Sequence, residues 1–365
     1  MKVVIIATEA SSDYLGYNLI KSLRKKKKKI NLYGVGGPLM ESIGFKSWIP
    51  INEFNTIGLF EVLIRIKKFL KILKKIENQI RLNEPNILIT IDSPSLSYRV
   101  VKRIQDLKEK KNIKIYHYVA PTVWAWKKYR AKIFAKLYDG MFTLFRFENK
   151  FFTKYQLSTQ YVGHQIFFRR KVEKKKKTIC FLPGSRNIEI KNNLSKMIPS
   201  IKESIAKFKD YDFFVLTFDH SKNLVDEMVK DLKIKVITDY KKKKKIMKTS
   251  FLAVAASGSV SLELCKYKVP SIIVYDTHFI TKIILKLFVR VKFASLINIF
   301  YNREVLPEFL FEKFNAENVF KKMIELIGNK NSRMNQLRMM NDFSEKMILD
   351  KKNPSEIIAK SILKD

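Results

Sequence analysis

The chain has 365 residues, more than one hydrophobic core usually serves, so two domains with separate cores are expected. Lys and Arg number 72 against 34 Asp and Glu, a formal net charge of +38 that favours anionic partners. No uninterrupted apolar stretch reaches the roughly 18–20 residues of a spanning helix, and two cysteines, Cys180 and Cys265, cannot support a disulfide framework. In chain order, the apolar run at 1–7 is too short for a signal peptide and is closed by Glu9 and Asp13, so no export is expected, and residues 3–6 read as a first strand. Further strands are expected at 31–35, 87–91, 113–118, 141–144 and 159–162, with helices such as 13–24 and 95–110 between them. A charged interval at about 169–177 precedes a second series at 178–182, 213–217, 235–237, 252–255 and 271–275, and the chain is helical from 316 onward.

This alternation predicts an α/β protein of two parallel-sheet domains, 1–168 and 178–340, followed by a helical tail, 341–365. In such sheets ligands sit at the carboxyl ends of the strands, and two of them facing each other make a cleft. The lysine runs at 25–29, 174–177 and 241–245 fall between apolar segments and read as solvated turns and helix ends. In the segment 57–76, Leu59, Leu63, Ile66, Leu70 and Leu73 recur at helical spacing, with Phe60 and Phe69 among them and Arg65, Lys67, Lys68 and Lys71 on the polar side. A basic amphipathic helix of this kind lies in an anionic membrane interface; an ordinary packed helix is the alternative. Residues 279–300 repeat the mixture, and together they make an acyl-chain substrate expected. The aromatics sit on apolar faces instead of alternating with Arg, which speaks against nucleic acid.

Several loops carry chemistry. Residues 8–13 form a polar loop opening a helix, suited to an anionic or hydroxyl-rich ligand; Ser12 or Asp13 serving only as a helix cap is the alternative. Asp92, just past a buried strand end, can act as a general base or cap the following helix. Glu9, Asp92 and His164, the last at a strand end near the domain junction, are the catalytic candidates, whereas His117 lies within a strand and reads as a core histidine. Trp124 and Trp126, in a strand-to-helix loop, stack on a sugar or pack beneath the loop. Leu-Pro-Gly-Ser-Arg at 182–186 makes a compact anion cradle of Gly184, Ser185 and Arg186, without the Lys-Ser/Thr ending of a Walker loop. Ser257, Gly258 and Ser259 repeat the idea, with Glu263 one turn further to accept from ribose hydroxyls. Two such loops at corresponding strand ends predict a diphosphate site, and neither a metal nor a cofactor is expected.

Glu-Ala-Ser-Ser-Asp at 9–13, Gly-Val-Gly-Gly-Pro at 34–38, Ile-Gly-Leu-Phe-Glu-Val at 57–62, Ile-Asp-Ser-Pro at 91–94, His-Tyr-Val-Ala-Pro-Thr-Val-Trp-Ala-Trp at 117–126, Gly-His at 163–164, Leu-Pro-Gly-Ser-Arg at 182–186 and Ala-Ser-Gly-Ser at 256–259 occur in this order. With them the chain resembles the lipid-A-disaccharide synthases, family 19 glycosyltransferases of the GT-B fold, over nearly its whole length. The resemblance implies two Rossmann-like domains facing across a cleft. It also implies inverting transfer of 2,3-diacylglucosamine from UDP-2,3-diacylglucosamine to the 6-hydroxyl of 2,3-diacylglucosamine 1-phosphate (lipid X), with release of UDP. Asp92 is then the base, Arg186 a diphosphate ligand, and Ser257, Gly258, Ser259 and Glu263 the nucleotide holders, joined by Asn298 and Glu304 beside Arg303 in a donor-side segment. The implied setting is cytoplasmic, peripheral on the inner face of the inner membrane of a Gram-negative bacterium, with a homodimer left open. Ser12 stands where the family usually has Gly, and Ser95 where it commonly has Asp. The rival readings are a UDP-sugar epimerase of similar architecture, a nucleic-acid-binding protein and an inactive membrane scaffold.

Overall fold

Near-continuous Val, Ile and Leu runs suit strands buried on both faces, and in the computed structural model, which describes residues 1–54, 66–168, 172–277 and 292–364, they form two parallel sheets. The chain divides into two units, Met1–Phe168 with Met347–Asp365, and Arg169–Lys346. The first sheet contains β1 (Lys2–Ala7), β2 (Asn31–Val35), β3 (Lys46–Ser47), β4 (Ile87–Ile91), β5 (Lys114–Tyr118), β6 (Gly140–Thr143) and β7 (Ser158–Tyr161), in the order β3-β2-β1-β4-β5-β6-β7. The second contains β8 (Thr178–Leu182), β9 (Asp212–Leu216), β10 (Lys235–Ile237), β11 (Leu252–Ala256), β12 (Ser271–Tyr275) and β13 (Glu308–Leu310), in the order β10-β9-β8-β11-β12-β13. Both are doubly wound: from β1 the chain builds outward to β3, then crosses back to lay β4 on the other side of β1. The second sheet repeats this between β8 and β11. At such a switch point the two outgoing loops diverge and leave a crevice.

Each unit has its own core. In the first, Val4, Ile6 and Leu88 of the sheet pack with Val100, Val101 and Phe134 of the covering helices. In the second, Phe181, Val215 and Val254 pack with Leu194, Ile201, Val319 and Met323. The helix Ile66–Asn83 buries Ile72, Leu73, Ile76 and Ile80 in the first core, while Ile66 and Leu70 at its start are 44% and 47% exposed. The packed reading therefore holds for the later turns, while the start of the helix leaves these two apolar side chains exposed. The expected membrane residues Leu59, Phe60, Leu63 and Arg65 lie outside the described residues, as do residues 278–291. Among the described residues no helix is long and apolar enough to cross a membrane. The lysines at 241–245 occupy the N-terminal half of the helix Tyr240–Thr249.

The end of the chain is not set apart at residue 341. The helix Lys330–Lys346 closes the second unit, and the residues after it return to the first. Gly163 pairs with Ile348 in an antiparallel bridge, and His164 donates its backbone N–H to Met347 O at 2.8 Å. Gly163 has a φ of +81°, and a Cβ there would lie 2.6 Å from Met347 O, so this approach needs glycine. The final helix, Pro354–Ile362, buries Ile358, Ala359 and Ile362 against the helix Ala10–Lys26, which its apolar face requires. Ser355 Oγ donates to Gln165 Oε1 at 2.9 Å, and Lys25 pairs with Glu356 at 3.2 Å.

Candidate active site

In the first unit, β1 and β4 run side by side with Ala7 opposite Ile91, so Thr8 and Asp92 leave the sheet as neighbours at the switch point. Asp92 and Ser93 both take left-handed backbone, with φ of 56° and 45°, turning the chain sharply into the helix Pro94–Arg103. Asp92 accepts from its neighbour's N–H, Ser93, at 2.8 Å, and Ser97 Oγ donates to Asp92 O at 2.7 Å. Ser93 Oγ donates to Glu9 Oε1 at 3.0 Å and receives Thr8 Oγ1 at 2.9 Å. Loss of hydration, then the charge of Glu9, push the Asp92 carboxyl up to about 6, against the opposing Ser93 amide. A carboxylate tuned towards neutrality at a crevice can take a proton from a sugar hydroxyl.

The 8–13 loop is divided between roles. Ser12 Oγ accepts the Glu9 N–H at 2.9 Å, closing the first turn of the helix Ala10–Lys26. Asp13 does not cap its own helix; its buried carboxylate accepts Gly37 N, Leu39 N and Met40 N at 2.9, 2.9 and 3.0 Å and so holds the turn after β2. Glu9 alone of the loop's acids meets Asp92.

His164 is not gathered with them. It follows β7, three strand spacings or roughly 14 Å of sheet from β4. There its Nδ1 accepts Ile166 N at 3.2 Å as a helix cap. His117 is fully buried, its Nδ1 lies 2.7 Å from Thr90 Oγ1, and burial lowers its pKa to about 3, so it is a neutral core group. Trp124 donates Nε1 to Glu148 Oε1 at 3.3 Å. Glu148 is itself buried and holds Leu144 N and Phe145 N, which ties that indole beneath the loop. Trp126 is partly exposed, with Lys127 Nζ 4.0 Å from its ring centroid.

In the second unit β8 and β11 are neighbours, which brings the 183–186 and 257–259 loops together at that switch point. Gly184 has a φ of +133°, and a Cβ there would lie 2.5 Å from the Glu189 carboxyl carbon. Glu189 Oε2 accepts Ser185 N at 3.0 Å, while Ser185 and Arg186 are exposed. His220, in the loop after β9, reaches Ser185 O with Nε2 at 3.1 Å, and Ser221 Oγ donates to Asn187 Oδ1 at 2.6 Å. Gly258 and Ser259 are exposed, and Ser257 Oγ donates to Ala294 O at 3.3 Å. Burial raises the pKa of Glu263, opposed by the charges of Lys244, Lys266 and Lys243. These loops offer backbone and guanidinium donors for a diphosphate and a carboxylate for a polyol.

Asn298 is placed differently from expectation. It is fully buried, donates Nδ2 to Leu306 O and Glu308 Oε1 at 2.7 Å each, and accepts Val305 N and Leu306 N at 2.7 and 2.9 Å. Its amide is spent on shaping the turn that exposes Arg303 and Glu304. Glu308, not singled out from the sequence, anchors the same turn by accepting Ala294 N and Ser295 N at 2.7 and 2.8 Å. Ser93, whose signal in the sequence is a hydroxyl directly after the candidate base, links Asp92 to Glu9.

A family profile described as lipid-A-disaccharide synthetase matches residues 3–362. Proteins named lipid-A-disaccharide synthase are 33% identical in Rickettsia prowazekii, covering 99% of this chain and 98% of theirs, and 36% identical in Rickettsia bellii, covering 90% and 89%. Among solved structures, UDP-GlcNAc 2-epimerase from Neisseria meningitidis bound to UDP-GlcNAc superposes with a TM-score of 0.66 over both full chains at 12% identity. Spinosyn rhamnosyltransferase complexed with thymidine diphosphate gives 0.58 at 9%, again over both full chains. Likeness at such identity shows the shared GT-B-type architecture alone.

Proposed function

The chain belongs to the lipid-A-disaccharide synthase family of glycosyltransferases, and from that premise we propose that it transfers 2,3-diacylglucosamine from UDP-2,3-diacylglucosamine to the 6-hydroxyl of lipid X with inversion. The observation that carries this reading is the Asp92 carboxyl, raised to about 6 beside Glu9 at the first unit's switch point. Asp92 takes the proton of the acceptor 6-hydroxyl as that oxygen attacks the anomeric carbon. The carbon–oxygen bond to the diphosphate breaks, and UDP leaves with the electron pair. Arg186, Ser185 and the Ser257–Ser259 loop receive the negative charge that develops on the diphosphate, and Glu263 holds the ribose. Glu9, through Ser93, holds the base in place. Guanidinium and backbone donors answer the leaving group's charge, so the proposed reaction uses neither metal nor cofactor, and EDTA is expected to leave its rate unchanged.

The work site proposed with it is the cytoplasmic face of the inner membrane, held peripherally; exposed Ile66 and Leu70 beside Lys67, Lys68 and Lys71 support this. Incubation with both lipid substrates, followed by mass spectrometry of the lipids and proton NMR of the new anomeric centre, tests the reading. Disaccharide 1-phosphate of inverted configuration together with UDP is expected. No disaccharide from folded, UDP-binding protein overturns it, and conversion of a UDP-sugar to its epimer would move the chain to the rival reading.

A further inference from the structure

One residue after the Ser93–Pro94 turn, Ser95 sits between two guanidinium groups. Arg130 Nη2 donates to Ser95 Oγ at 3.0 Å, and Arg99 Nη1 donates to Ser95 O from one turn along the same helix. Neighbouring arginines use their charge differently. Arg81 pairs with Glu77 and Asp106 at 3.0 and 2.8 Å, and Arg103 with Glu77 at 3.1 Å. Among the described residues neither Arg99 nor Arg130 makes an ion pair with a carboxylate, and Ser95 is uncharged. Arg99 is instead held by rings, 4.8 Å from the Tyr98 centroid and 5.7 Å from that of Phe69. A guanidinium fixed on aromatic faces can present its remaining edge N–H groups and loses little entropy on binding an anion.

We propose that Arg99 and Arg130 form the subsite for the acceptor's 1-phosphate. The inference rests on the glycosyl-transfer reading and adds to it the group that orients the acceptor. Ser95 lies three residues beyond Asp92, in the first turn of the helix that the Asp92–Ser93 turn opens. With the phosphate clamped at Arg99 and Arg130, the 6-hydroxyl, borne through C6 on C5 across the ring oxygen from C1, is directed to the Asp92 carboxylate. Two guanidiniums match a phosphate dianion, and each presents paired N–H donors to its oxygens. The polar edge of the sugar then faces the 92–95 turn, and the exposed Leu70 and Ile66, on the helix that also carries Phe69, offer apolar surface beside the acyl chains.

The test compares wild type, Arg99→Gln and Arg130→Gln with two acceptors, 2,3-diacylglucosamine 1-phosphate and the same lipid without phosphate, and separately measures binding of the phosphorylated lipid in detergent micelles without donor. Each substitution is expected to raise the KM and the dissociation constant for the phosphorylated lipid by about tenfold or more, the loss of a charge-assisted hydrogen-bonding pair. The KM for the UDP-sugar and turnover of the phosphate-free lipid stay within about twofold, which also reports that the variants are folded. Equal losses with both acceptors, or no loss of lipid affinity, overturn the subsite. Arginine-dependent lipid binding with no transfer by wild type would keep the subsite and overturn the transfer reading instead.

Discussion

Replacing Asp92 by Asn should abolish transfer and at the same time make the first unit more stable. In the fold the carboxyl ionises at about 6 rather than at its ordinary 3.8, a difference that corresponds to about 3 kcal/mol against the ionised form. The folded state therefore holds a proton that the unfolded chain releases between these values. The penalty is absent below about pH 4, grows as pH rises, and is complete above about pH 6. Asn keeps the acceptor oxygen for Ser93 N and tolerates a φ of 56° better than most residues. It carries no charge to repel Glu9, so roughly 1–3 kcal/mol should be recovered at pH 7.5 and almost none at pH 4. Urea denaturation at the two pH values, followed by tryptophan fluorescence, reads this difference, and UDP release in the presence of both lipids reads the activity. An Asn variant that is no more stable at pH 7.5 than wild type would refute the account of a charge held against burial and a neighbouring acid. One that retains activity would refute Asp92 as the base.

In wild type, kcat/KM should fall tenfold per pH unit below about 6, and Glu9→Gln should move that limb towards acid, because the charge that disfavours ionised Asp92 is gone; a limb that stays in place refutes the coupling. Arg186→Ala should weaken UDP binding by about 10- to 100-fold in titration calorimetry with little change in melting temperature, since its guanidinium is exposed. Asn298→Ala should do the reverse, lowering the melting temperature strongly by leaving the Val305 and Leu306 amides unpaired, while any folded fraction binds UDP at near wild-type affinity. Ile66→Asn with Leu70→Asn should reduce sedimentation with anionic phospholipid vesicles several-fold and leave stability unchanged, because both side chains are exposed.

The sheets were legible because a parallel strand covered on both faces needs an apolar run, and β1, β4, β8 and β11 carry such runs between polar loops. The same logic placed Asp92, Arg186 and the Ser257–Ser259 loop at strand ends. It failed for β3 and β13, whose two and three residues have no pattern of their own and become strands only through their partners β2 and β12. Side-chain partners distant in sequence were equally hidden. Nothing local tells that Asp13 serves Gly37, 24 residues on, or that the amide of Asn298, inside Leu-Ile-Asn-Ile, turns inward to its own loop. His164 shows the limit of that logic: a strand end marks a loop, but only strand order tells whether that loop adjoins the switch point.

The return of residues 347–364 to the first unit has a bearing on synthesis. As the chain emerges from the ribosome, residues 1–168 leave the helix Ala10–Lys26 with an uncovered apolar face until the last residues appear. The second unit is an insertion within the first and can fold as a contiguous segment while its host is incomplete. Neither a fragment ending at residue 168 nor a chain stopped at 346 possesses the whole first unit. Such nascent or truncated forms offer the face that Ile358 and Ile362 should cover to chaperones, proteases and one another.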